Sequence, residues 1–231
     1  MVSEYLPYLW HGVVVTLRIF GLSFCVMLPV AFLLGLARLS RLRVLRWTST
    51  VIVEFFRGTS ALIQLFWAYY VLPYLGVDLP PFVVAVLVLG ICEGCYGAEV
   101  VRGAIQEVPR GQSDAAHALG MSPLQRTWLV VIPQALLLMI PPFTNVVISL
   151  LKFTSVASLV TLLELTSRGM NVRATTGDTT AIFVILLATY LVLSLLLSTI
   201  GQALERIVAR VLGGRSPDPV RVEAELQQVA A

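Results

Sequence analysis

Apolar residues in this chain gather into long runs separated by short basic stretches. One run extends from about Gly12 to Leu36, with Pro29 as an expected kink, and a second from about Thr50 to Leu72. A third covers about Phe82 to Val101 and the last about Thr180 to Leu204. Each reaches the roughly 20 residues that a helix needs to cross the hydrocarbon core of a bilayer. Between the third and the last lies Trp128 to Leu165, apolar but broken by Pro133, Pro141-Pro142 and Lys152. It is too long for one span and awkward for two.

Charge decides how these runs are threaded. Arg38, Arg41, Arg43 and Arg46 follow the first run, Arg102, Arg110 and Arg126 follow the third, and Arg206, Arg210, Arg215 and Arg221 follow the last. The first eleven residues carry no Lys or Arg, and Pro73 to Pro81 carries only Asp78. By the positive-inside rule the basic segments are cytoplasmic and the others external. An even number of crossings must therefore separate the loop around Arg110 from the C-terminal tail. Two fit best, one within Gln134 to Leu151 and a return through Thr180 to Leu204. The expectation is an all-α polytopic membrane protein of five spans, N-terminus outside and C-terminus in the cytoplasm. Residues 1–212 would form a single transmembrane domain and 213–231, charged and containing Pro217 and Pro219, a mobile cytoplasmic tail. The segment Phe153 to Thr179 is left as a re-entrant stretch or an interface helix. Trp67, Tyr69, Tyr70 and Tyr74 at one end of the second run, and Trp47 at the other, suit aromatic belts at both interfaces. With no basic region ahead of it, the first run reads as a retained span rather than a cleaved signal.

Composition agrees and excludes several functions. Of 231 residues, 58% are hydrophobic and only 13% charged, and mean hydropathy is +0.88. A soluble domain carries about 25% charged residues. The net charge of +3 does not indicate nucleic acid, because the basic residues sit between apolar runs as topology signals. Lys152 is the only lysine and follows Leu150-Leu151, so a phosphate loop ending in Gly-Lys is absent, and any nucleotide hydrolysis belongs to another subunit. Three cysteines, Cys25, Cys92 and Cys95, in apolar runs and two histidines make a four-ligand zinc site improbable. Cys92 and Cys95 read as small core residues. Neither His-Glu-x-x-His nor Gly-x-Ser-x-Gly occurs, which argues against a membrane-embedded hydrolase.

The stretch Gln112 to Gln125 carries the most specific signal. Ser113 or Asp114 could cap a short helix rich in alanine, Gly120 suits its left-handed end, and Ser122 caps a second helix with Pro123 at its first position. Ala115, Ala116, Ala118 and Leu119 would give the first helix a smooth face for close approach by a partner. The outline is also that of a DNA-reading helix-turn-helix, but the space between two spans leaves no room for a supporting third helix.

Asp114-Ala115-Ala116, Gly120 and Val130-x-Ile132-Pro133 resemble the cytoplasmic signature loop of bacterial ABC importer permeases, E-A-A-x3-G-x9-I-x-L-P, with Asp for Glu and Val and Ile for Ile and Leu. Glu54 to Ser60, Gln64-Leu-Phe66, Tyr70-x-Leu-Pro73, Tyr96 to Glu99, Arg102 to Ile105, Val108 to Gln112 and Leu151-Lys152-x-Thr154-Ser155 resemble polar amino acid permeases of the histidine, glutamine and arginine type. The resemblance covers about Gly12 to Arg210. Within that family, Glu54 to Ser60, Gly97 to Gln112 and Arg173-Ala-Thr-Thr176 look most like the ectoine and hydroxyectoine permeases. Phe153, where the family has a small or acidic residue, and Glu93, where it has a neutral one, are departures that bear on substrate choice.

The resemblance implies a type I ABC importer permease fold in the bacterial inner membrane and a non-catalytic subunit. It implies a like permease subunit, two ATPase subunits that carry the ATP and Mg, an extracytoplasmic substrate-binding protein, and no cofactor on this chain. Asp114, Ala115, Ala116, Leu119, Gly120, Met121, Ser122 and Pro123 would form the element coupled to the ATPase. Gln64, Glu93, Lys152, Thr154, Ser155 and Glu164 are candidates for the translocation pathway. Glu93 in mid-span must be protonated, pair with Lys152 or Arg18, or line a wet path. Glu54 and Arg57, three apart, suit either a local ion pair or a gate or inter-subunit contact. The competing class is an ion-coupled secondary transporter of a small polar solute, using Glu93 or Glu164, but the chain shows no repeated halves.

Overall fold

The computed structural model describes residues 5–211, which are helical throughout apart from short connections. The expected tail, 213–231, lies outside them. Nine α-helices follow in order: α1 (Leu6–Arg38), α2 (Arg43–Gly58), α3 (Ala61–Phe66), α4 (Pro81–Glu107), α5 (Arg110–Ala118), α6 (Pro123–Arg126), α7 (Ile132–Phe153), α8 (Leu165–Thr176) and α9 (Thr179–Val211). Four stretches are long and apolar enough to cross a membrane, namely α1, α4, Pro123–Val160 and α9. A fifth exists if the bent pair Arg43–Gly58 and Ala61–Leu75 counts as one.

That pair corrects the expected continuous second span. The chain is helical to Gly58, extended at Thr59 and Ser60, and then helical again along an axis turned by 99°. Two further irregularities share one cause. A π turn covers Trp67–Val71 just before Pro73, and another covers Thr127–Val131 just before Pro133. A proline ring clashes with the carbonyl four residues back and offers no amide. In each turn the residue before proline bonds five residues back instead, Leu72 to Trp67 and Ile132 to Thr127. The widened turn absorbs the proline without ending the helix. A 3-10 turn, Leu72–Leu75, then leads into Gly76 in the left-handed region at φ +85°.

The described residues form two compact units: those up to Gly103 with Pro142–Ser198, and Ala104–Pro141 with Thr199 to Val211. In the first, α1 and α4 lie side by side and parallel. Gly90 meets Val26, Gly94 meets Val30 and Gly97 meets Ala31, so closely that a Cβ on Gly94 would stand 2.6 Å from Val30. α7 runs antiparallel to α4, with Phe143 beside Gly97 and Ser149 bonded to Glu93. Ile19, Met27, Leu65, Leu89 and Leu150 form the fully buried centre of this unit.

The 3-10 stretch Thr154–Val160 continues directly from α7, and the chain turns at Thr161, which lies in the left-handed region. That stretch and α8 pack on the first half of α1, where Gly12 touches the Leu165 backbone. Leu165 N donates to Thr16 Oγ1 at 3.2 Å, which places the turn about 15 Å along α1 from Leu6.

Candidate functional site

The second unit contains the signature loop, and its geometry follows from its end residues. α5 begins at Arg110 behind Pro109, four or five residues earlier than a cap at Ser113 or Asp114 would give, so both lie inside the helix and do not cap it. It ends as predicted: Gly120 adopts φ +77°, Gly120 N donates to His117 O (2.9 Å) and Met121 N to Ala116 O (3.1 Å). This paired pattern closes the last carbonyls of a helix at a left-handed residue. Ser122 caps α6 as expected, its Oγ accepting from Gln125 N while Gln125 Oε1 accepts from Ser122 N at 2.9 Å, with Pro123 at the first position. The result is a tight helical hairpin.

The earlier start also sets which residues face outward. Ala116 is 4% exposed and packs within its own unit, contrary to the expectation that it contributes to a docking face. Asp114, Ala115, Ala118 and Leu119 are exposed, Leu119 at 79%, together with Ser122, Pro123, Leu124 and Trp128. Together they form an exposed, largely apolar surface on a short hairpin whose ends are capped.

In the first unit, the helix break and a polar strip coincide. The Gln64 side-chain amide donates to Phe56 O (3.0 Å) and Thr59 O (3.3 Å), carbonyls that the break at Thr59–Ser60 leaves without helical partners. Its Oε1 accepts from the Cys92 thiol. One residue on, Glu93 is 3% exposed and accepts from Ser149 Oγ at 3.3 Å. It pairs with neither Lys152 nor Arg18, both of which are exposed. Beside the break an apolar groove of about 510 Å³ opens between α2–α3 and α4, with Phe56, Ile63, Trp67 and Ile91 among its walls and Gln64 as a polar contact.

The remaining pathway candidates separate. Lys152 is exposed at the end of α7, Thr154 is buried and donates to Leu151 O (2.6 Å), and Ser155 donates to Lys152 O (2.7 Å). Glu164 is fully buried and caps α8 through Ser167 N (2.8 Å). It also accepts from Tyr190 Oη (3.1 Å) and Thr16 Oγ1 (3.3 Å), tying α1, α8 and α9 together.

Sequence reading missed a charged cluster. Glu54 and Arg57 do approach each other, at 3.7 Å, but Arg38 bonds Glu54 (3.2 Å) and Glu99 (2.6 Å), Arg57 lies 3.8 Å from Glu99, and Arg102 pairs with Glu99. Arg57 also stacks over Tyr96 at 5.4 Å. The five charges join α1, α2 and α4.

Residues 27–210 match the family described as Binding-protein-dependent transport system inner membrane component. The probable amino-acid ABC transporter permease protein y4tF of Sinorhizobium fredii is 39% identical over 218 residues, 92% of each chain. The L-cystine transport system permease protein TcyB of Bacillus subtilis is 36% identical over 209 residues, 90% of this chain and 89% of its own. Among solved structures, an amino acid ABC transporter crystallised with histidines matches with a TM-score of 0.84 and 29% identity, covering 89% of this chain and 96% of that one.

Proposed function

The chain belongs to the binding-protein-dependent transport system inner membrane components, membrane-embedded and non-catalytic permeases, and from that premise we propose that it forms the translocation path of an ATP-driven importer for polar amino acids or solutes derived from them. The α5–α6 hairpin carries this reading: it presents Ala115, Ala118 and Leu119 outward on a rigid mount, in the place where the signature loop would meet an ATPase. Two ATPase subunits hold ATP and Mg, a like permease subunit completes the path, and an extracytoplasmic binding protein delivers substrate. In this reading the N-terminus lies outside and the C-terminus in the cytoplasm, as the distribution of arginines along the sequence suggests. The parallel α1 and α4, with α7 antiparallel, support that alternation.

ATP draws the ATPase subunits together, the hairpins follow, and the spans rotate between two packed states. Glu93, Gln64 and the break beside them are the best-placed polar groups for a zwitterionic substrate, since they bring polar side chains and backbone carbonyls together at one interrupted point of an apolar helix packing. Among substrates, the resemblance of Glu54 to Ser60 and Arg173 to Thr176 to the corresponding stretches of ectoine permeases favours ectoine and hydroxyectoine. The test is uptake into vesicles carrying the complete complex, using labelled glutamine, cystine, histidine, ectoine and hydroxyectoine. Uptake that requires ATP and survives collapse of the proton gradient is expected. Uptake driven by an ion gradient without ATP would overturn the proposal, and an ATP-dependent profile lacking ectoine would overturn only the finer assignment.

A further inference from the structure

The first half of α2 carries charges that neither the proposed path nor the hairpin uses. Arg41, Arg43 and Arg46 are exposed and have no carboxylate partner among the described residues. No acidic residue occurs from Ala37 to Val53, and Glu54, the only acid of α2, is held by Arg38 and Arg57. Arg43, Val44, Arg46, Trp47 and Thr50 line an open cleft of about 540 Å³. Leu42 at the N-cap offers no side-chain acceptor, so the positive end of the helix dipole adds to the same field. Interleaved with the arginines, Leu42, Val44 and Trp47 are 68%, 79% and 71% exposed.

We propose that this cleft holds the headgroup phosphate of an anionic phospholipid, with Arg43 and Arg46 as its ligands and Trp47 packing beside the glycerol and upper acyl chain. Guanidinium groups match phosphate oxygens in a bidentate fashion. Tryptophan partitions to the headgroup level, and exposed Leu42 and Val44 meet acyl chains there. An acidic protein groove would satisfy the arginines but leave these three apolar side chains in water. The site depends on membrane embedding and not on what is transported.

The full chain would be reconstituted in phosphatidylcholine vesicles containing spin-labelled phosphatidylglycerol or spin-labelled phosphatidylcholine, and the protein-restricted fraction of each label measured. A preference for phosphatidylglycerol of about fivefold is expected, falling to near one in R43Q/R46Q, kept above one in R43K/R46K and unchanged in R206Q/R210Q. Retention in the lysine variant shows that the loss in the glutamine variant comes from charge and not misfolding. Absence of preference in the wild type, an undiminished preference in R43Q/R46Q, loss in R43K/R46K, or displacement of the lipid by millimolar inorganic phosphate would each overturn the site.

Discussion

On the proposed path, Glu93 is the residue whose chemistry a substrate would meet most directly. Its carboxyl is buried between α4 and α7, accepts one hydrogen bond from Ser149 and meets no cation among the described residues. A membrane-embedded acid in that position is costly unless something compensates, and the cationic group of a zwitterion in transit would do so. A hydrogen bond to a charged group contributes about 1.5–3 kcal/mol, so Glu93→Gln is expected to lower transport roughly tenfold or more, or to shift selectivity, while expression and ATPase binding persist. Wild-type uptake and selectivity from that variant in reconstituted vesicles would remove Glu93 from the path. The sequence identified Glu93 as an anomaly because a charge inside an apolar run is visible without a structure. Its partner, Ser149, lies 56 positions away and carries no local signal.

Elements were legible where hydrophobic length or end chemistry decides them. The spans at α1, α4 and α9 and the Gly120–Ser122–Pro123 turn follow from such signals, whereas the crossing at α7 follows from charge parity. The break in the second span is not legible from run length, which treats a bent and a straight helix alike, although Gly58-Thr59-Ser60 carries a breaker. The face of α5 is not legible from a polar capping residue, because Pro109 sets the start of the helix and its phase turns Ala116 inward. The Arg38–Glu99 pair, 61 residues apart, is a product of the close α1–α4 packing that the glycines permit. It changes what the Glu54–Arg57 spacing means. A purely local pair would tolerate exchange of its two charges, whereas in E54R/R57E the new arginine would face Arg38 and the new glutamate would face Glu99. The double reversal is therefore expected to leave uptake as impaired as either single variant. Recovery to the wild-type level would show that the pair is independent of α1 and α4.

At the scale of the whole molecule, the chain divides its work between a polar, interrupted helix packing in one unit and a rigid hairpin in the other. In the proposed importer the second unit would report the state of an ATPase to the first, so the hairpin is where that proposal is tested most directly. Ala115 is the informative position. It is exposed and lies next to the inward-facing Ala116, so bulk at 115 blocks a partner's groove without disturbing the hairpin's own packing. The decisive measurement is recovery of the ATPase subunit on affinity-purified permease carrying Ala115→Trp, compared with wild type at equal permease yield. Recovery is expected to fall at least about tenfold, the cost of excluding one well-packed contact at the centre of an interface. Undiminished recovery of the ATPase on the tryptophan variant would contradict the proposed role of the hairpin.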